Sequence, residues 1–285
     1  VIPAAFDYQR AASLDEALGL VGTGGTKVIA GGMSILPLMK LRLASPDRLV
    51  DIGRLAELKG VRRLPDGRVA VGALTTYTEL ADSPAQHYGL IRDALPDIGD
   101  VQVRNRGTVG GSVAHCDPAS DLPAVLLALD AEIVARSNRG ENVYPANGFF
   151  QGAFQTALAD DELITEVRLP GPRDDAGSAY VSMSQKASGY SIVGVAAVVI
   201  RGSDGPITGA GIALTGVGEA PYRARAVEEA LVGSDGSAGA IAAASAHATD
   251  GVTVNGDIHA DAAYRTAMAA IYTRRAIEAA LGRLG

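Results

Sequence analysis

Two short segments carry the residue pattern that phosphate recognition needs. Ala30-Gly31-Gly32-Met33-Ser34 follows a stretch with strand character and precedes one with helical character. Adjacent glycines at such a turn let backbone N–H groups converge on an anion, and a following helix N-terminus adds partial positive charge. A plain strand-to-helix turn would use the same residues, so both readings stay open. The second segment, Thr108-Val109-Gly110-Gly111-Ser112, again sets paired glycines between hydroxyl side chains. Two such loops could hold the two phosphates of one pyrophosphate from opposite sides. Neither carries a P-loop lysine, because GxxxxGK[ST] occurs nowhere in the chain. Gly22-Thr23-Gly24 meets Lys27, and Gly216-Val217-Gly218 meets Pro221, where a Rossmann fingerprint requires glycine. The chemistry indicated is a dinucleotide held by backbone amides, without a catalytic lysine.

The remaining reactive side chains give less. His87, His115, His247 and His259 show neither HxxxH nor HExxH spacing, which argues against a metal site. His115 and Cys116 are neighbours in sequence, a spacing that usually points side chains apart, so a packed pair is expected rather than a nucleophile. Asp117 and Asp121 flank Pro118 at the start of an apolar helix. There a carboxylate either complements the helix dipole or accepts from a ligand hydroxyl. Arg104 and Arg106, with Asn105 between them, read as a solvated face, a docking patch or phosphate contacts. No serine lies in a GxSxG elbow, which disfavours a hydrolase.

The elements that must position these residues alternate through the first third of the chain. Residues 13–21 read as a helix capped by Ser13, 27–30 as a short strand and 35–43 as a short helix. Residues 49–52 and 68–72 read as strands, and 75–82 and 86–95 as helices. Residues 99–118 read as a long loop rich in glycine, asparagine and aspartate, leading into a helix over 119–129. A break is expected near Leu169-Pro170-Gly171-Pro172-Arg173, where prolines, glycine and charge cluster. Beyond it Ala179, Val181 and Met183 alternate with Tyr180, Ser182 and Ser184 as a half-buried strand. Apolar strands over 192–200 and 207–215 complete a three-stranded antiparallel sheet. A long final helix sets Tyr264, Met268 and Ile271 on one face. The fold class is α+β, with a first domain over 1–172 and a second over 173–285.

Composition bounds the function. With 285 residues the chain can bury an ample core, and 47% apolar against 20% charged residues exclude wholesale disorder. A net charge of −7 and a pI near 5.1 argue against nucleic acid or an anionic membrane surface as partner. The longest apolar stretch, Leu122 to Ala135, is broken by Asp130 and Glu132, so no integral membrane segment is expected. The first residues show no signal-peptide pattern, and the expectation is a soluble, cytoplasmic protein. A single cysteine excludes a disulfide framework or an iron–sulfur site built by this chain alone.

Taken together, AGGMS followed by ILPLMKLRL, then VQVRNRGTVGGSVAHCDPASDLPA, DELITEVRLP and AAYRTAMAAIYTRRAIEAAL resemble the FAD-binding medium subunit of the molybdenum hydroxylases. That family includes aerobic carbon monoxide dehydrogenase and xanthine dehydrogenase. The resemblance spans essentially the whole chain, and the QVRNRGTxGG…DPxxDxPA string is its most specific part. It implies a vanillyl-alcohol-oxidase (PCMH) type FAD domain, followed by a smaller domain of antiparallel sheet and helices. The FAD pyrophosphate would lie between Ala30, Gly31, Gly32, Met33 and Ser34 on one side and Thr108, Gly110, Gly111 and Ser112 on the other. The resemblance places Ile98 beside the isoalloxazine ring, Asp121 on a cofactor hydrogen bond, and Leu163 and Ile164 near the flavin. Gln185-Lys186-Ala187-Ser188-Gly189-Tyr190 resembles a stretch whose tyrosine covers one ring face, giving Tyr190 a stacking role and Lys186 a cofactor contact. The family's T-G-D is replaced here by Ala187-Ser188-Gly189. Carbon monoxide dehydrogenases resemble AGGHS at the first loop where this chain has Met33, which favours N-heterocycle or aldehyde substrates in comparison.

The implied role is electron transfer. Substrate would be oxidised at a molybdenum cofactor on a large partner subunit, and electrons would cross [2Fe–2S] clusters on a small one to reach FAD. The assembly implied is a dimer of heterotrimers. Two other readings are a stand-alone NADPH-dependent flavin reductase, similar to UDP-N-acetylenolpyruvoylglucosamine reductase, and a scaffold that has lost its flavin.

Overall fold

The computed structural model describes residues 2–186, 188–202 and 205–284. Its first layer comprises β1 (Asp7–Arg10), α1 (Leu14–Leu20), β2 (Thr26–Ile29), α2 (Ile35–Lys40) and β3 (Arg48–Asp51). These strands pair in parallel in the order β1-β3-β2. Ser13 caps α1 as the sequence predicts: its side chain accepts from the Glu16 amide, while Leu14, Ala17 and Leu18 turn inward.

A second layer follows: β4 (Val61–Arg63), β5 (Val69–Gly72), α3 (Tyr77–Ala81), α4 (Gly89–Ala94), α5 (Val101–Arg104), α6 (Val109–His115), α7 (Asp121–Ala128), β6 (Glu132–Ser137), β7 (Gly140–Pro145), β8 (Phe150–Gly152), β9 (Gln155–Thr156) and β10 (Leu163–Leu169). Five strands form an antiparallel sheet ordered β4-β5-β10-β6-β7, with β8 and β9 as a separate hairpin. The apolar run from Leu122 is not one element. It splits at Asp130, whose φ of 52° ends α7 and turns the chain into β6. Every residue of α7 is buried, as expected for a helix apolar on all sides. The expected long loop over 99–118 is corrected, since α5 and α6 both lie within it.

The third layer comprises β11 (Ala176–Ser184), β12 (Ser191–Arg201), β13 (Ile207–Thr215), β14 (Tyr222–Arg223), α8 (Arg225–Leu231), α9 (Ala238–Ser245) and α10 (Ala262–Leu281). The antiparallel sheet has four strands, because the two-residue β14 extends the three expected ones. Tyr180 is buried although the alternation sets it on the polar face of β11, while Ser178, Ser182 and Ser184 on that face stay half-buried. Helices cover both faces: α10 packs on β11 and β12 from one side, and α4 and α7 pack from the other. The principal core therefore contains Tyr180, Ala196 and Ala213 together with Leu90 of α4 and Val125 of α7. On α10 the inward face is formed by Arg265, Ala269, Thr273, Ala276, Ile277 and Ala280. Tyr264 is exposed, and Met268 and Ile271 are only half-buried, because small residues bring the helix closer to the sheet than that aromatic–aliphatic face could.

Candidate functional site

The chain leaves β2 at Ile29 and enters α2 at Ile35, and the turn between them is the first glycine segment. Gly32 holds φ at +79°, a conformation that side chains resist. The Leu36 and Leu38 amides return to the Gly32 and Ser34 carbonyls as α2 begins. The amides of Gly31, Gly32, Met33 and Ser34 make no hydrogen bond among the described residues. Such a row of free donors ahead of a helix is a nest for an anion.

The second glycine segment works differently from the sequence expectation. Thr108 is the N-cap of α6, and its hydroxyl accepts from the Gly111 amide at 3.1 Å. The Val109 amide reaches the Thr75 carbonyl at 3.0 Å, that of Gly110 reaches Ala73 at 2.8 Å, and that of Ser112 reaches Thr108 at 3.0 Å. These amides are committed to the protein itself. What the segment presents to a ligand is a low wall of glycine and hydroxyl groups, with Ser112 Oγ 2.8 Å from Ser120 Oγ. The two segments meet directly. A Cβ on Gly31 would lie 1.9 Å from the Arg106 carbonyl oxygen, so only glycine permits this backbone-to-backbone approach.

One cavity of about 1080 Å³ runs past both segments. Its middle is the glycine turn facing Thr108 and Gly110–Ser112. One end is bordered by Ile98, Asp121 and Tyr190, where a Cβ on Gly189 would lie 3.6 Å from Gly99 Cα. The other end reaches Val21, Lys27 and Asp160, near the contact of Gly22 with Asp161. Leu163 and Ile164, the buried start of β10, line it as well. The residues that the resemblance assigns to FAD all border this cavity except Lys186, which is exposed on the turn between β11 and β12. Ala187, on the same turn, lies outside the described residues.

Asp121 is the best-held polar group at the site. It is buried at the first position of α7, and its Oδ1 accepts from Ser191 Oγ at 2.6 Å and from the Tyr180 hydroxyl. Neither donor is near it in sequence, and both come from the C-terminal sheet. Burial pushes the Asp121 carboxyl up to about 6, against the pull of those two hydrogen bonds. Among the described residues no other residue's hydrogen bond occupies Oδ2, which leaves that oxygen for a ligand donor. Tyr190 is 51% exposed beside it, available as a flat cover.

The other sequence candidates have structural roles. Cys116 is buried with φ at 50°, its thiol donates to the Gly152 carbonyl, and burial pushes its pKa up to about 11. That is no nucleophile. The His115 ring packs on Phe154 with centroids 5.0 Å apart, and burial holds its pKa below the ordinary value. Asp117 accepts from the Ala119 amide at 2.9 Å, closing the turn into α7. The Arg104 guanidinium donates to the carbonyls of Pro96, Ile98 and Gly99, fixing the segment that carries Ile98.

Two cavity residues were not singled out from sequence. Glu162 is buried and accepts from Asn142, Tyr144 and the Ala159 amide. Burial raises its pKa, but those bonds outweigh it and the net shift is downward. It anchors the entry to β10 and so places Leu163 and Ile164. Tyr77 is buried at the start of α3 behind a Thr76–Glu79 capping box, and burial pushes its hydroxyl up to about 12. The TTYTE string around Tyr77 is the local signal that could have marked the helix start.

Gly111 offers a direct test of the second wall. A Cβ there would sit 2.7 Å from Thr108 Oγ1. Gly111→Val therefore both intrudes on the cavity and disturbs the cap of α6, costing roughly 1 kcal/mol of stability. Expected is a folded protein whose affinity for FAD, read by flavin fluorescence, falls about tenfold. A folded variant with unchanged affinity would remove this wall from the site.

The family model for an FAD-binding domain in molybdopterin dehydrogenase matches residues 4–172, and that for a CO dehydrogenase flavoprotein C-terminal domain matches residues 178–280. The carbon monoxide dehydrogenase medium chain of Hydrogenophaga pseudoflava is 38% identical over 287 residues, covering 99% of each protein. The 6-hydroxypseudooxynicotine dehydrogenase complex subunit alpha of Paenarthrobacter nicotinovorans is 37% identical over 285 residues, covering 99% of this chain and 96% of that one. A chain of the solved carbon monoxide dehydrogenase from Hydrogenophaga pseudoflava lacking the Mo-pyranopterin moiety superposes with a TM-score of 0.96 at 39% identity, with both chains covered in full.

Proposed function

Because this chain belongs to the family of FAD-binding medium subunits of molybdenum hydroxylases, we propose that it links the [2Fe–2S] clusters of a partner subunit to an external electron acceptor through bound FAD. The observation that carries this reading is the free-amide turn at Gly31–Ser34, set midway along a cavity that ends at Tyr190 and Asp121. At about 1080 Å³ the cavity is at the upper end of the range for small-molecule sites, as an extended dinucleotide requires.

The chain's own residues bind and orient. The four amides take the pyrophosphate oxygens, and the glycine wall of α6 lets them approach closely. Asp121 Oδ2 would accept a hydrogen bond from the flavin half, its carboxylate held in place by Tyr180 and Ser191. Tyr190 would cover the ring, and Ile98 with Leu163 and Ile164 would keep water from its apolar edges. FAD, when bound, supplies a carrier that exchanges electrons singly with clusters and in pairs with other acceptors, which no side chain here could do.

The partners are those the family implies, and the cysteine count fits them. A [2Fe–2S] cluster needs about four thiolates, and this chain has one cysteine, which is buried. The clusters belong to a small iron–sulfur subunit and the molybdenum cofactor to a large one, assembled as a dimer of heterotrimers. Titrating the purified full chain with FAD, FMN and NADPH tests the reading. Tight binding of FAD over FMN, with no NADPH oxidised, is the expected result. Steady NADPH turnover would make the chain a stand-alone reductase instead. Absence of FAD from both the isolated chain and its co-purified complex would reject the cavity as a flavin site.

A further inference from the structure

Behind the Gly31–Arg106 contact lies a second cavity of about 370 Å³ that shares Ala30, Gly31, Leu74 and Thr108 with the first. Its border gathers Arg10, Arg54, Lys59 and Arg106, on a chain whose net charge is −7. Two carboxylates also border it, and both are occupied. Asp51 accepts from the Tyr8 hydroxyl, the Gly53 amide and Arg10, and Glu79 accepts from the amide and hydroxyl of Thr76. The side chains of Arg54, Lys59 and Arg106 make no hydrogen bond or ion pair among the described residues. Asn105 spends its side-chain oxygen on Thr78, which leaves its N–H groups as donors. Three cations without an ion-pair partner face one carboxylate, Glu79, whose hydrogen-bond donors are neutral, so the concavity is net positive and attracts an anion.

We propose that this cavity is a second anion site, separate from the flavin cavity, that takes a small phosphate-bearing molecule such as a diphosphate or a nucleoside diphosphate. The chemistry fits. Arginine forks and a lysine supply many donors to a polyanionic oxygen cluster, and they outnumber the one carboxylate there, Glu79, that has no cationic partner. Because the site backs onto the Arg106 carbonyl, an occupant braces the strand of backbone against which Gly31 packs.

The test is calorimetric titration of the FAD-saturated full chain with inorganic pyrophosphate and, separately, with ADP at low ionic strength. One-to-one binding that weakens with added salt is expected, with the dissociation constant raised about tenfold or more in the Arg54→Ala, Lys59→Ala double variant. FAD affinity, measured in the same preparations, should be unchanged by that variant. Tighter binding of ADP than of pyrophosphate identifies a nucleotide as occupant, and the reverse identifies the free diphosphate. The proposal is overturned if neither probe binds, if the double variant binds as well as the parent, or if pyrophosphate binds only FAD-free protein. The last outcome would mean that the probe was filling the flavin turn.

Discussion

Gly31→Ala is expected to abolish FAD binding at micromolar cofactor while leaving most of the fold in place. The added methyl would sit 1.9 Å from the Arg106 carbonyl oxygen, 2.7 Å from its carbonyl carbon and 3.2 Å from Gly107 Cα. All three obstacles are backbone, so no rotamer change relieves them and the two segments must part. Parting them moves the free amides of residues 31–34 off the positions where they converge. Losing two hydrogen bonds to a charged phosphate, at roughly 1.5 kcal/mol each, weakens binding about a hundredfold. Flavin fluorescence titration reads the loss, and circular dichroism with thermal melting reads the fold. Gly24→Ala is the control, because nothing lies within 4 Å of a Cβ there. If Gly31→Ala binds FAD as Gly24→Ala does, the amides of this turn are not the pyrophosphate site.

Tyr180→Phe should change how FAD affinity depends on pH. In the parent protein Asp121 is a buried carboxyl pushed up to about 6, with Asp97 adding to the rise and the Ser191 and Tyr180 hydroxyls opposing it. FAD affinity is therefore expected to fall as the pH drops through about 6, when Oδ2 loses its charge. Removing the Tyr180 hydroxyl raises that midpoint, so at pH 7 the variant should bind roughly tenfold more weakly. At pH 9 it should approach the parent. The folding equilibrium runs the other way. A carboxyl raised above its ordinary value binds its proton more tightly when folded. Its contribution to stability is thus full below about pH 4 and declines as the pH rises through 6. Holding the ion at neutral pH costs the fold roughly 3 kcal/mol. A packing role alone would lower affinity equally at every pH, and coincident midpoints for parent and variant would dispose of the hydrogen bond as a determinant.

How much of this could be read from the chain depends on how local each feature is. The Ala30–Ser34 turn was legible because its glycines, the strand before it and the helix after it are contiguous. The helices α5 and α6 were not legible, since a segment holding Gly99, Gly107, Gly110 and Gly111 has poor intrinsic helix propensity. Its amides are satisfied by Ala73 and Thr75, more than thirty residues earlier, and that tertiary pairing overrides the local preference. Asp121 could be marked as a helix-start carboxylate with a ligand option, but its clasp could not. Tyr180 and Ser191 lie 59 and 70 residues away, on strands whose alternation gave no hint of two covered faces. The inward face of α10 was not marked in the sequence, because alanine and threonine carry less apolar signal than Tyr264 or Ile271. The QVRNRGTVGGSVAHCDPASD stretch shows the limit from both sides. Several of its residues border the large cavity, while its conformation was misjudged.

The shared core of Tyr180, Ala196 and Ala213 with α4 and α7 bears on how such a protein can change over evolutionary time. A sequence boundary near residue 172 invites the picture of two cartridges, one for the cofactor and one replaceable. The packing refuses it. The far side of the C-terminal sheet is the near side of the cofactor region's own interior, and Arg283 at the end of the chain reaches back to Asp93 on α4. A sheet borrowed from a relative would arrive without the surfaces that α4, α7 and Asp121 expect. The sheet keeps a core of its own on the α10 side, but recombination at that seam would uncover the interior that the two segments share.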